Sequence, residues 1–168
     1  LYYYGDVQVK YGDMELKSDY MAYDLESNTV LARGTKDFDG NWVGLPEMKM
    51  GETTYTMEQV YYNFNSRKAK IKNMKTQQKE GELRGENLKL MPDMSVNIAG
   101  GKYTVCDADH PHYYLQMTAA KLMTKPTQKT VFGPAYVVIE DVPLPLALPF
   151  GFVPQKPERA SGLLMPTY

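Results

Sequence analysis

Met14-Glu15-Leu16-Lys17-Ser18-Asp19-Tyr20-Met21-Ala22-Tyr23-Asp24-Leu25 is the stretch whose reading decides the fold. Met14, Leu16 and Ser18 alternate with Glu15, Lys17 and Asp19. The phase then slips by one: Met21, Tyr23 and Leu25 carry the apolar face onward, with Ala22 and Asp24 opposite. Side chains alternate faces along a strand, so this slip keeps one face inside only if the strand bulges or turns a corner near Asp19-Tyr20. Upstream, Val7 and Val9 alternate with Gln8 and Lys10 and predict another strand.

The same slip recurs 39 residues on, where Tyr55 and Met57 are followed by Val60, Tyr62 and Phe64. At that offset Gly12 matches Gly51, Asp19 matches Glu58, Tyr23 matches Tyr62 and Ser27 matches Ser66. Looser copies are Leu83, Gly85, Leu88 and Leu90, and Leu115, Met117, Ala120 and Leu122. A bent-strand unit used several times is an irregular internal repeat. Turn residues punctuate the units at Tyr11-Gly12-Asp13, Glu26-Ser27-Asn28, Phe38-Asp39-Gly40-Asn41, Asn65-Ser66-Arg67 and Ala99-Gly100-Gly101. Frequent short strands and turns predict an all-β sandwich, barrel or jelly roll. No segment makes a convincing helix. Ala69 to Met74 is too short, and Lys75 to Glu82, which has no apolar residue, is expected to be a solvated loop or hairpin tip.

The composition narrows the function. At 168 residues, with 43% apolar and 23% charged residues, the chain is one globular domain's worth of sequence. Nineteen basic against twenty acidic residues leave a net charge of −1, which argues against nucleic acid as a partner. No run of about 20 apolar residues spans a membrane as a helix. The chain starts at Leu1-Tyr2-Tyr3-Tyr4 without an initiator Met or signal segment and stops at Pro166-Thr167-Tyr168, so it is expected to be a piece of a longer protein. From Val142 the character changes: Pro143, Pro145, Pro149, Pro154, Pro157 and Pro166 crowd the end, and Val142 to Pro154 is uncharged. Proline cannot donate into a central ladder, so this segment is read as an extended connector or edge. The expected organisation is a domain over residues 1–141 and a Pro-rich connector over 142–168, with the boundary near Glu140 to Val142.

One ordered set of motifs is specific: Tyr103-Thr104-Val105-Cys106-Asp107, Pro111-His112-Tyr113, Val142-Pro143-Leu144-Pro145, Leu148-Pro149-Phe150, Val153-Pro154 and Arg159-Ala160-Ser161-Gly162-Leu163-Leu164-Met165-Pro166. This set, with Gly5-Asp6-Val7-Gln8-Val9 and Ser18-Asp19 near the start, resembles the LPS-assembly outer-membrane protein family LptD, also called OstA. The resemblance implies an OstA/LptA-like periplasmic bent β-jelly roll whose groove takes the acyl chains of lipopolysaccharide. It implies that the Pro-rich segment leads into an outer-membrane barrel, with Ser161 to Pro166 at its first strand. Its implied partners are lipopolysaccharide through the lipid A acyl chains, a soluble LptA-like bridge protein at the N-terminal edge (Tyr2 to Val9), an LptE-like lipoprotein through the barrel, and the outer membrane. It also implies that Cys106 is half of a long-range disulfide to the barrel.

The inward positions of the alternating strands are the groove candidates: Met14, Leu16, Met21, Tyr23, Tyr55, Met57, Val60, Tyr62, Leu88, Leu90, Leu115, Met117 and Leu122. Methionine adapts to irregular partners, which suits a surface that passes chains of variable length. The plain alternative is a filled core in a structural or assembly jelly roll that docks proteins without lipid. Chemistry is not expected. Cys106, Asp107, Asp109, His110 and His112 crowd one short segment and lack a second ligand-bearing element, so no metal and no other cofactor is assigned. The Cys106 and histidine pair shares one turn, where nucleophile and base would normally come from distant parts of a fold; no catalytic residue is assigned. The basic run Arg67, Lys68, Lys70, Lys72, Lys75 and Lys79 is read as a solvated hairpin face balanced by Glu80, Glu82 and Glu86.

Overall fold

The computed structural model describes residues 1–51, 53–78, 81–106, 108, 110–123 and 129–154. Their strands are β1 (Tyr2–Tyr11), β2 (Met14–Asp24), β3 (Thr29–Arg33), β4 (Thr35–Lys36), β5 (Trp42–Val43), β6 (Glu47–Met50), β7 (Thr53–Asn63) and β8 (Lys68–Gln78). There follow β9 (Gly81–Leu90), β10 (Val96–Thr104), β11 (Tyr113–Met123), β12 (Lys129–Phe132), β13 (Ala135–Ile139), β14 (Val142–Leu148) and β15 (Gly151–Pro154). No helix occurs among the described residues. All strands except the small β4–β5 hairpin join one antiparallel sheet.

That sheet is folded along a single line. In β1 the register slips between Tyr4 and Val7, leaving Gly5 and Asp6, both at positive φ, opposite Asp19 of β2. In β8, Asn73 (φ 48°) sits between the pairs Lys72–Asn87 and Met74–Gly85. In β10, Gly100 (φ 69°) sits between Ala99–Ala119 and Gly101–Met117. At Asp19 and Glu58 the neighbouring strand position changes hands. β6 pairs the first halves of β2 and β7, and β3 pairs their second halves. Residues 34–46 leave the sheet at that point and carry the β4–β5 hairpin. The phase slip read in Met14–Tyr23 is this corner: Met14, Leu16 and Ser18 are buried before it and Met21 after it, with Tyr23 half-buried. Leu25, which continues the pattern on paper, is 67% exposed in the turn, because β2 ends at Asp24.

The internal repeat has a structural counterpart. β2 and β7 begin and end 39 residues apart, and both carry the corner at matched positions. Gly12 and Gly51 share a left-handed turn conformation (φ 59° and 61°), and so do Asn28 and Arg67 (φ 51° and 54°). The fold thereby uses the same bent strand and the same two turns twice.

Bending the sheet makes two arms whose inner sides bury one contiguous apolar cluster, giving the two-layer core of a jelly roll. Seven methionines lie in it: Met14, Met21, Met48, Met50, Met57, Met74 and Met117. Tightness at the corner is set by Gly85 and Gly101, which face each other across β9 and β10 on the inner side. A Cβ on Gly85 would stand 2.8 Å from Ile98 Cγ2, so the bend closes onto the space that a side chain would fill.

Residues 75–82 need a correction. They are expected to be loop, yet β8 continues to Gln78 and β9 begins at Gly81, so only the tip falls outside the described residues. Thr76 is buried and donates to the Thr54 carbonyl at 2.9 Å. Buried Glu82 pairs with Lys75 at 3.0 Å and with Arg84. Backbone ladders and ion pairs, not apolar alternation, carry the hairpin here. At Glu140-Asp141, both at positive φ, the chain makes a two-residue hairpin, and β14 pairs with β13 while β15 pairs with β12. Through Pro143 and Pro145, β14 lies on the sheet edge, where a missing N–H costs no ladder bond.

Candidate functional site

A mouth opens between the two arms at the β1 edge, a cleft of about 670 Å³. That volume is typical of small-molecule and lipid-sized clefts, which run from roughly 300 to 1,000 Å³. The near arm supplies Val7, Val9 and Tyr11 from β1; the far arm supplies Met21, Tyr23, Val30 and Phe64. Strand alternation explains the set, since Val7, Val9 and Tyr11 are every second residue of β1 and turn the same way. Among the described residues β1 pairs with β2 alone, so its other edge carries no strand. Phe64 organises the far wall through edge-on contacts with Tyr62 at 4.8 Å, Tyr11 at 5.5 Å and Tyr23 at 6.1 Å. The Tyr11 contact bridges the arms at their tips. Polar atoms are few: Gln8 and Asn28 reach the rim, and the Tyr23 hydroxyl donates to Asn28 Oδ1.

Electrostatics follow burial. Desolvation pushes the Tyr55 phenol up to about 12, against a smaller opposing pull from the Thr53 hydroxyl. Tyr62 is raised by desolvation first and by Tyr11 second, with Arg67 acting the other way.

The thirteen groove candidates come together, but not as a lining. Met14, Leu16, Met21, Tyr55, Met57, Val60, Tyr62, Leu88, Leu90, Met117 and Leu122 all sit in the buried cluster, none more than 5% exposed. Tyr23 and Leu115 pack against it half-buried. Of the thirteen, Met21 and Tyr23 border the cleft. The cleft residues absent from that set, Val7, Val9, Tyr11, Val30 and Phe64, carry the same alternation signal. Val30 belongs to the buried cluster as well; what keeps Val7, Val9 and Tyr11 out of it is the position of β1 at the end of the sheet, which periodicity does not encode.

Cys106 is partly exposed and unpaired, and its Sγ lies 3.8 Å from His112 Nδ1. The Ala108 backbone N–H and the His112 side chain pull the thiol below its ordinary value, while the thiolate raises His112, with Glu140 adding to that rise. Asp107 and Asp109 fall outside the described residues. Among the described residues no three His, Cys, Asp or Glu side chains converge as a metal set. His110 instead leans toward Asp141 at 3.7 Å.

Fold and site together define an all-β jelly-roll module with an apolar core, a bent sheet and an open apolar mouth at its first strand. Comparison with known proteins shows what the chain is similar to. A family model described as LptD protein matches residues 130–168. The chain is 25% identical to the LPS-assembly protein LptD of Bordetella avium over 166 residues, which is 98% of this chain and 19% of that protein. It is 25% identical over 173 residues to the LPS-assembly proteins LptD of Aeromonas hydrophila and Aeromonas salmonicida, covering 99% of this chain and 20% of each. The chain thus spans about one fifth of the length of the curated relatives it matches. The resemblance to LptD carried by the motifs is found by both comparisons.

Proposed function

We propose that this chain is the periplasmic jelly roll of a lipopolysaccharide-assembly protein, which holds lipid A acyl chains on their way to an outer-membrane barrel. The observation that carries the reading is the apolar mouth between Val9 and Phe64, which opens onto a methionine-rich core. Water opposes bare transfer: each exposed methylene costs about 0.8 kcal/mol, so a chain of about a dozen carbons costs on the order of 10 kcal/mol. An apolar trough that replaces the membrane environment lowers that barrier, provided it binds weakly enough to let go. The mouth would admit the chains, and unbranched methionine side chains would reshape around them as the arms part at the Tyr11–Phe64 contact.

The partners fit this placement. The open edge of β1, with Tyr2 and Tyr4 more than 70% exposed, is where a soluble LptA-like bridge protein would add its strand. The opposite end, β14 and β15, leads toward the barrel and its LptE-like lipoprotein at the periplasmic side of the outer membrane. Cys106, partly exposed and with a depressed thiol, is suited to the long-range disulfide.

A second reading is favoured by one observation, the near-complete burial of eleven groove candidates. In it the jelly roll is a filled core that docks proteins and binds no lipid. The substitution Val9→Trp in the full-length parent separates the two, because it plugs the mouth while leaving every member of the buried cluster in place. Impaired lipopolysaccharide delivery with an unchanged melting temperature supports the lipid-carrying reading. Normal delivery by the plugged protein refutes it and leaves the docking module.

A further inference from the structure

The basic run in β8 does not stand alone. Lys68, Lys70 and Lys72 alternate with buried Ala69 and Ile71, so all three point outward from the second arm. Strand pairing sets Lys70 beside Lys89 of β9, Lys89 beside Asn97, and Asn97 beside Lys121 of β11. Arg33 of β3 and Lys129 of β12 face the same way from their own strands. This outer face therefore gathers seven cations from five strands. Of the acids expected to balance it, Glu80 lies outside the described residues, as does Lys79 of the run, and the other two lie elsewhere. Glu82 is on the first arm with Lys75 and Arg84, and Glu86 is on the corner line opposite Asn73. Among the described residues, this face holds Asp24 at its β2 end and Asp93, which meets Lys121 at 3.9 Å.

Such a face costs stability, since like charges directly opposite on adjacent strands repel, as Lys70 and Lys89 do. A chain with net charge −1 has acids enough to neutralise it and places them on other surfaces. The row Lys70, Lys89, Asn97, Lys121 then continues into Val131 and Phe152, which are 38% and 67% exposed. Phe150, in the turn that leads into β15, is exposed as well. Cations bordered by exposed aliphatic and aromatic side chains are the combination that partitions to an anionic bilayer surface: lysines reach phosphates while the apolar border enters the headgroup region. An acidic protein would complement the lysines and leave the Val131–Phe152 border without a purpose.

We propose that the outer face of the second arm docks on an anionic lipid surface through Lys70, Lys89 and Lys121, with Phe152 at its border. This site is separate from the mouth and does not depend on acyl-chain binding there. The test is co-sedimentation of the 168-residue chain with phosphatidylglycerol/phosphatidylcholine vesicles, against vesicles of phosphatidylcholine alone. Binding to the anionic vesicles alone, weakened by salt, is expected. Each cation near such a surface contributes about fivefold, so Lys70→Gln, Lys89→Gln and Lys121→Gln together should weaken binding on the order of 100-fold. The control pair Lys17→Gln and Lys49→Gln, on the first arm, should change it little, and melting curves confirm that both variants fold. Three outcomes overturn the proposal: no preference for anionic vesicles, equal loss in the control pair, or capture by polyglutamate beads without vesicle binding, which would point to an acidic protein.

Discussion

At the scale of single residues, burial sets the chemistry. Tyr55 is fully enclosed, and its phenol is raised to about 12 in the folded chain against about 10 when exposed. The folded state therefore holds this proton more tightly, so the stability it contributes is complete below pH 10. That stability is lost as pH rises from about 10 toward about 12. Two pH units correspond to about 2–3 kcal/mol for a group this deeply buried. Chemical denaturation from pH 8 to 11.5 should show stability falling more steeply in the wild type than in Tyr55→Phe, and parallel curves would contradict this origin. Tyr55 also shows what sequence reading could and could not see. Its inward position is legible from alternation with Thr54 and Thr56, but whether it lines a groove or fills a core is not. Both demand the same side-chain type, and the difference lies in how far the opposite arm has closed.

At the scale of elements, the corner is the most legible feature and its mechanism the least. Four strands, β2, β7, β9 and β11, announce it by a one-residue slip, because an inward face on both sides of a bend cannot keep strict period two. Which residues make the bend is less visible. Asn73 and Asp6 adopt left-handed backbone without glycine, and nothing in the alternation marks residues 34–46 as the excursion that splits one strand position into β3 and β6. The β8–β9 extension is hidden for a similar reason: its apolar signal is missing, and Lys75, Glu82 and Arg84 hold it instead. The inner corner should be intolerant of volume. Gly85→Val would push into Ile98 and Leu88 and cost about 1–3 kcal/mol, read as a lowered denaturation midpoint. An unchanged midpoint would mean that the bend has slack.

At the scale of the whole molecule, the fold is asymmetric along its strand order. The β1 end opens as an apolar mouth, the middle is a closed methionine-rich core, and the β14–β15 end exposes Leu146, Phe150 and Phe152. A chain passed from a bridge protein to a barrel would need that arrangement, with a way in at one end and a membrane-compatible surface at the other. Lipid carriage would require hydrocarbon to enter between the arms. Its most direct test is a photo-crosslinking residue placed singly at Tyr23, Phe64 and Met57 in the full-length parent, with Lys17 and Lys49 as outward controls. Lipopolysaccharide adducts at Tyr23 and Phe64 under transport conditions, with Met57 labelled only while lipid is moving, are the predicted result. Adducts confined to Lys17 and Lys49, with none from the mouth, would contradict it.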